Sequence, residues 1–397
     1  MKKLEKSVPV IRFKGFSDAW EQRKLGDIAN YRNGKAHEQV EDEDGKYTII
    51  NSKFISTNGK VQRYTNEQVE PIFDGEIAMV LSDLPNGKAL AKLFLVKEDG
   101  KYTLNQRIAG ITPNENIDPI FLNFRMNRNN YFLKFDSGVT QTNLSKSQVE
   151  NFISLYPTFD EQYKIGLFFT QLDDTIALHQ RKLDTLKLLK KGFLQQMVTK
   201  SGENIPKIRF DDFDDIWEQR ILGEFLKESK IKGSNGSLAK KLTVKLWRKG
   251  VVPKEEIYTG SSATQYYIRK TGQFMYGKLD FLNQAFGIVP LELNGYESTL
   301  DSPAFDIEDS LNETFLLEYV SLARFYKYQG NIANGSRRAK RIHTDTFFEM
   351  PIPLPNSNEQ QKIGTFSQQI DDLITLQQNK LEKLSSLKRF YLKNMFI

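Results

Sequence analysis

Two polar stretches, each led by glycine, carry side chains whose types and spacing suit contact with nucleic acid. One is Ser137-Gly-Val-Thr-Gln-Thr-Asn-Leu-Ser-Lys146, with Thr140, Gln141, Thr142, Asn143 and Lys146. The other is Asn334-Gly-Ser-Arg-Arg-Ala-Lys-Arg-Ile-His343. It packs Arg337, Arg338, Lys340 and Arg341 into five residues, with Asn334 and His343 beside them. Arginine presents paired donors to guanine, Asn and Gln match adenine, and hydroxyls and lysine hold phosphates. A solvated surface loop is the competing reading of each stretch.

Covalent chemistry has little to work with. There is no cysteine, which excludes disulfides, thiolate nucleophiles and cysteine-ligated zinc. The chain has no phosphate-loop motif, no G-x-S-x-G, no H-E-x-x-H and no Asn/Asp-Pro-Pro-Tyr/Phe of amino-methyltransferases. His37, His179 and His343 lie far apart and lack metal-ligand spacing. Asp173-Asp174 and Asp371-Asp372 are adjacent on helical patterns, so they point about 100° apart and do not form a dyad. They read as solvated or partner-facing charges. A net charge of +6 suits a polyanionic partner without demanding one. No run reaches the roughly 20 apolar residues of a membrane span, and the expected location is the cytoplasm.

Long helices must position these loops. From Asp160 to about Met197, an a/d seam runs through Ile165, Phe169, Leu172, Ile176, His179, Leu183, Leu186, Lys190, Phe193 and Met197. It returns as Ile363, Ser367, Ile370, Ile374, Gln377, Leu381, Leu384, Lys388, Tyr391 and Met395. Both copies are polar at the same two places, His179/Gln377 and Lys190/Lys388, which would help set register. Each rod of about 57 Å covers roughly 17 base pairs of DNA. Glu-Gln follows each expected helix cap, Asp160 and Asn358, after Pro157 and Pro355.

The rest of the chain repeats with them. Pro9-Val-Ile-Arg-Phe13, Phe16 and Trp20-Glu-Gln-Arg23 with Leu25-Gly26 recur as Pro206-Lys-Ile-Arg-Phe210, Phe213 and Trp217-Glu-Gln-Arg220 with Leu222-Gly223. The offset is 197 residues at the heads (Pro9 to Pro206) and 198 at the helices (Glu161 to Glu359). This is a tandem duplication of one large unit. Trp20 and Trp217 are expected as core anchors. Two equivalent seams favour an antiparallel helix pair related by a pseudo-twofold axis.

The middles diverge, and both read as mixed α/β. In the first, residues 47–50, 76–81, 93–96 and 102–112 are strand-like. A helix should follow Asp118-Pro119 through 120–135. In the second, 265–270 and 273–277 are strand-like, and a helix should run from Asn312 through 315–328.

The head, the variable middle and the glycine-led loop leading to P…E-Q-x-K-I-G, with I…D-D-x-I-x-L-x-x-x-K-L behind it, occur twice. That order resembles the specificity (S) subunit of type I restriction–modification systems over nearly the whole chain. The resemblance implies an α+β fold. Two target-recognition domains, 1–155 and 201–353, are separated by two antiparallel spacer helices, 156–200 and 354–397. It implies a non-catalytic subunit that reads an asymmetric bipartite site in double-stranded DNA. Such a subunit binds two methyltransferase subunits and, in the restriction complex, restriction subunits. The partners use S-adenosylmethionine, and ATP with Mg2+; this chain would bind neither cofactor. The alternatives are a stand-alone two-domain DNA-binding regulator or architectural protein and, against the missing catalytic motifs, a fused restriction enzyme.

Overall fold

The structure, a computed structural model, describes residues 8–396 apart from 38, 86, 201, 256–260, 332–333 and 337–338. For 334–336, 339 and 340 it describes the backbone alone. The chain divides into two compact units, Met1–His179 with Lys380–Ile397, and Gln180–Asn379. Each unit holds one head, one middle, the first part of one long helix and the last part of the other.

The repeated signature forms a clasp. In the first unit the head strand Glu21–Lys24 runs antiparallel to Ile153–Tyr156, with Glu21 opposite Tyr156. In the second, Glu218–Ile221 pairs Pro351–Leu354 in the same register, Glu218 opposite Leu354. This brings each head to the start of a long helix, Phe159–Met197 or Ser357–Met395. Arg12 there donates two hydrogen bonds of 2.7 Å to buried Glu161. Arg209 donates two of 2.8 Å to buried Glu359. Gln162 and Gln360 donate to the carbonyls of Pro157 and Pro355, both at 2.9 Å. The same side chains accept from the N–H groups of Asp118 (3.1 Å) and Asn312 (2.8 Å), the caps of the two middle helices. Lys164 sits over Phe16 (4.9 Å) and Lys362 over Phe213 (5.1 Å). A Cβ on Gly166 would stand 2.8 Å from Asp118 Oδ1, and one on Gly364 2.7 Å from Asn312 Oδ1. Glycine is thus required for the helix to approach the cap. The Glu, Gln, Lys and Gly of E-Q-x-K-I-G therefore each have a docking role, and the buried Ile165 and Ile363 join the two cores.

The long helices begin slightly earlier than Asp160 and Asn358. Asn356, not Asn358, accepts from the Glu359 N–H at 3.0 Å. Asp160 falls in the first turn, where its charge complements the free N–H groups.

The helices pair antiparallel within each unit. In the first, Phe168 meets Tyr391 edge-on at 5.0 Å, and Asp173 pairs Lys388 at 2.5 Å. In the second, Phe193 meets Phe366 edge-on at 5.5 Å, and Asp371 pairs Lys190 at 2.6 Å. Asp173 and Asp371 are the same repeat position, as are Lys190 and Lys388, so one ion pair occurs twice. The first aspartate of each expected solvated doublet is spent on the seam. Gln377 is buried and His179 half-buried.

One seam position differs in kind. Phe169 in the first unit packs on Phe124 at 5.2 Å, and Lys388 lies over Phe124. Its repeat partner Ser367 instead donates at 2.7 Å to buried Glu318. Glu318 also binds Lys190 (2.9 Å) and Arg248 (2.6 and 2.8 Å). Burial alone would raise the Glu318 carboxyl. The Arg248 hydrogen bonds, the charges of Arg248 and Lys190, and Ser367 hold it down at about 2.

Each middle is built on a four-stranded antiparallel sheet of equivalent order. The first is Ala29–Asn33, Ile108–Pro113, Ile77–Val80, Leu93–Leu95; the second is Leu226–Ser229, Ala304–Ile307, Phe274–Tyr276, Phe286–Ile288. Both reach the central strand through a turn whose glycine has positive φ, Gly75 (78°) and Gly272 (83°). Trp20 packs on Phe121 and Trp217 on Phe315, each at 6.0 Å, in the two cores. Residues 102–112 make two strands, Tyr102–Leu104 and Ile108–Pro113, rather than one. Each long middle helix is broken as well. The first stops at Met126 and resumes at Asn130–Leu133, because Arg128 is left-handed and the Asn129 side chain starts a new turn. The second splits into Glu313–Val320 and Ala323–Asn331.

Two measurements check this scaffold. Arg209→Ala leaves Glu359 buried without its guanidinium, and thermal or urea unfolding should show a loss of about 3 kcal/mol. Adding Glu359→Gln should recover part of it; an unaffected single variant would show that the clasp contributes nothing. Glu318 has a folded pKa below its unfolded value, so its contribution is present above the ordinary carboxylate range and fades as pH falls toward 2. The wild type should therefore lose stability between about pH 5 and 2 more steeply than Glu318→Gln. Equal slopes would count against the network.

Candidate nucleic-acid interface

The glycine-led loops hang from the central sheets by the same bond. In the first unit Thr142–Asn143 pairs antiparallel with Ser82–Asp83, which follows the central strand. The Leu144 N–H donates to the Leu81 carbonyl at 2.8 Å. In the second, the Ile342 N–H donates to the Lys278 carbonyl at 3.0 Å. Leu144 and Ile342 are equivalent, as are Leu81 and Lys278, although the loop sequences are unrelated. Their common attachment is main-chain and so does not depend on side-chain identity.

Asp136 shapes the first loop, accepting from the Gly138 N–H (2.9 Å) and the Thr142 hydroxyl (3.2 Å). Thr142 is buried and points inward. Thr140, Gln141, Asn143 and Lys146 are exposed. Gln141 donates to the Ser82 hydroxyl at 2.7 Å. Lys146 opens the short helix Lys146–Glu150, whose start is closed by a Ser145–Gln148 capping box.

The second loop is a hairpin, Asn334–Ser336 against Ala339–Arg341, with Asn334 opposite Arg341 and Gly335 opposite Lys340. Arg337 and Arg338 lie outside the described residues, and Asn334 and Lys340 are described by backbone alone. Arg341 pairs with Asp301 at 3.1 Å. His343 is exposed and precedes the helix Thr344–Phe348. Burial depresses the Lys278 ammonium; Glu228 and Asp301 oppose this, and Arg341 and Lys230 add to it.

The fold adds cations that the linear pattern did not single out. Asp83 accepts from the N–H groups of Ala89 (2.6 Å) and Leu90 (3.0 Å), closing a loop on which Lys88 is exposed. Arg107 is exposed, and its carbonyl accepts from the Leu81 N–H. Both lie on connections remote in sequence from the glycine-led loop, so no local motif marks them. His37 is structural: its ring nitrogens meet the Lys35 carbonyl and the Thr103 hydroxyl inside the first unit. Among the described residues no group of three His, Cys, Asp or Glu side chains could hold a metal ion, and no helix is long and apolar enough to cross a membrane.

The profile of the type I restriction modification DNA specificity domain matches residues 17–188 and again 217–386. The chain belongs to this family, whose members are non-catalytic specificity subunits, and it carries two such domains. The specificity subunit of type I restriction enzyme MjaVIII from Methanocaldococcus jannaschii is 22% identical over 393 residues. The match covers 93% of this chain and 90% of that protein. The crystal structure of a type I restriction-modification system S subunit from M. genitalium superposes with a TM-score of 0.63 at 13% identity, over 98% of this chain and 99% of that one. A chain from a structure addressing complex assembly and conformational transition of a type I system gives 0.56 at 17% identity, over 95% and 97%. The fold is therefore α+β, two mixed α/β recognition domains with two long antiparallel helices in a tandem duplication.

Proposed function

We propose that the two domains, 1–155 and 201–353, each read one half of an asymmetric bipartite site in double-stranded DNA through their glycine-led loops. The helices 156–200 and 354–397 set the gap between the half-sites. The observation that carries this is the pair of unrelated loops attached by one equivalent main-chain bond, Leu144 to Leu81 and Ile342 to Lys278. A common scaffold with different side chains is what two different half-sites require. In the first loop Thr140, Gln141, Asn143 and Lys146 face the DNA while Thr142 holds the loop's shape. In the second, Asn334, Arg337, Arg338, Lys340, Arg341 and His343 do the reading.

The scaffold also favours two copies of one partner. Leu178 and Leu387 in the first unit, and their repeat counterparts Leu376 and Leu189 in the second, are exposed at 57%, 41%, 65% and 46%. Equivalent apolar positions on helices offer equivalent docking sites, which suits two methyltransferase subunits; restriction subunits join in the restriction complex. The partners bind S-adenosylmethionine and ATP, and this chain supplies neither site. Such an assembly works on DNA in the cytoplasm.

Mapping methylated adenines in DNA from cells that express the chain with its modification subunit should reveal one split motif. The isolated chain should methylate nothing; methylation by it alone would overturn the assignment. Ala at Gln141 and Asn143 should relax one half-site only, by about 1–3 kcal/mol where a base contact is lost, and Arg341→Ala the other only. Relaxation of both half-sites by one loop's substitutions would count against separate reading. Four residues inserted between Leu183 and Leu186, with four between Leu381 and Leu384, add about 6 Å to each helix. The motif's gap should grow by about two base pairs with both half-sites intact; an unchanged gap would remove the helices' measuring role.

A further inference from the structure

The third tryptophan of the chain is not a core residue. Trp247 is 57% exposed, at the tip of a hairpin in which Leu242–Val244 pairs Val251–Pro253. The tip reads Lys245-Leu-Trp-Arg-Lys-Gly250. Lys245, Leu246 and Lys249 are exposed as well, and among the described residues no ion pair involves either lysine. Trp247 and Arg248 both have left-handed backbones, φ 58° and 56°. Two consecutive non-glycine residues in that region are costly and persist only when their surroundings hold them.

Three contacts hold them. The Trp247 N–H donates to the Asn283 carbonyl at 2.8 Å and the Arg248 N–H to the Gln284 carbonyl at 3.0 Å. The Arg248 side chain reaches inward to buried Glu318. With Arg248 anchored, the neighbouring Trp247 is left presented outward. The tip therefore docks on the same connection, 277–285, that holds the second glycine-led loop at Lys278. Toward the long helices it borders a cleft of about 430 Å³ whose wall includes Lys187, Lys191, Lys327 and Tyr326. The three lysines are exposed.

We propose that this tip is a second DNA contact of the second domain, sequence-independent, flanking the half-site that its glycine-led loop reads. Lys245 and Lys249 bind phosphates and Trp247 packs against the sugar–phosphate backbone, with the lysine-lined cleft continuing the basic track. Charge selects the partner: two exposed lysines flank the exposed aromatic in the tip and three more line the adjoining cleft, and the strand they would meet is polyanionic. The tip and the glycine-led loop share one supporting segment, so DNA held by the loop runs past the tip.

The inference rests on the reading of the chain as a DNA specificity subunit, and one experiment separates the two. The complex with its modification subunit is titrated with duplex carrying the mapped site over a range of salt, and footprinted by hydroxyl radicals. Failure of the wild-type complex to bind that duplex would sink the specificity reading itself. With the wild type binding, Lys245→Ala/Lys249→Ala should lower the slope of log affinity against log salt by about 2. Protection should be lost only on one flank of one half-site, with the methylated motif unchanged. Trp247→Ala should weaken binding roughly threefold or more, and Trp247→Phe should restore most of it. A slope and footprint identical to the wild type in the lysine variant would overturn the proposal. So would normal DNA contacts accompanied by loss of the modification subunit, which would mark the tip as a protein-docking surface.

Discussion

The clasp between Arg12 and Glu161, repeated as Arg209 and Glu359, is the interaction on which the rest of the structure depends. It joins the first residues of each repeat to the first turn of its long helix, about 150 residues downstream. The closure fixes the head strand against the segment that ends in Pro157 or Pro355. The adjoining Gln162 or Gln360 then ties in the cap of the middle helix. The glycine-led loop is trapped between these fixed points, so its ends are set before its sequence matters. A buried carboxylate is tolerable only because two guanidinium hydrogen bonds and, in the second repeat, the Trp217 indole N–H at 3.1 Å satisfy it.

This division explains what the sequence revealed and what it hid. The duplication, the helices, their antiparallel seam and the core tryptophans were legible because each is written in periodic or repeated residues. The lysines at 190 and 388 were legible as register positions; their partners were not, since Asp173 and Asp371 looked like solvated charges. The break in each middle helix was hidden. The apolar pattern runs through 120–135, and only the left-handed Arg128, bonded at its N–H to Ala91, stops the helix. At the candidate site, residue types marked the loops, but orientation was not readable: Thr142 and Asn143 are neighbours, one buried and one exposed. Lys88, Arg107 and Trp247 were missed because only the folded sheet brings their connections beside the loops.

The two repeats also show how much the scaffold tolerates. At one seam position Phe169 on Phe124 in the first unit is replaced by Ser367 on Glu318 in the second. An aromatic pair and a four-membered ionic cluster thus occupy the same architectural place. The apolar version avoids desolvating charge, and by general energetics it is the safer choice. The ionic version differs from the apolar one chiefly in what it can hold.

What it supplies is an anchor. Arg248 reaches Glu318 from a left-handed hairpin tip, adding a buried ionic tether, which an apolar Phe124-like surface lacks, to the tip's two main-chain hydrogen bonds. Lys190 links the same carboxylate to the seam through Asp371. The buried charges thus connect the helix pair of the second unit to a surface feature of its middle, and they do so at one fixed distance. In the first unit the left-handed Arg128 likewise donates its N–H to the carbonyl of a left-handed residue, Ala91, but its side chain reaches only the Leu90 carbonyl, and no tryptophan precedes it. Divergence in this chain therefore extends below the glycine-led loops, to a seam position where one substitution pattern favours packing and the other favours placement.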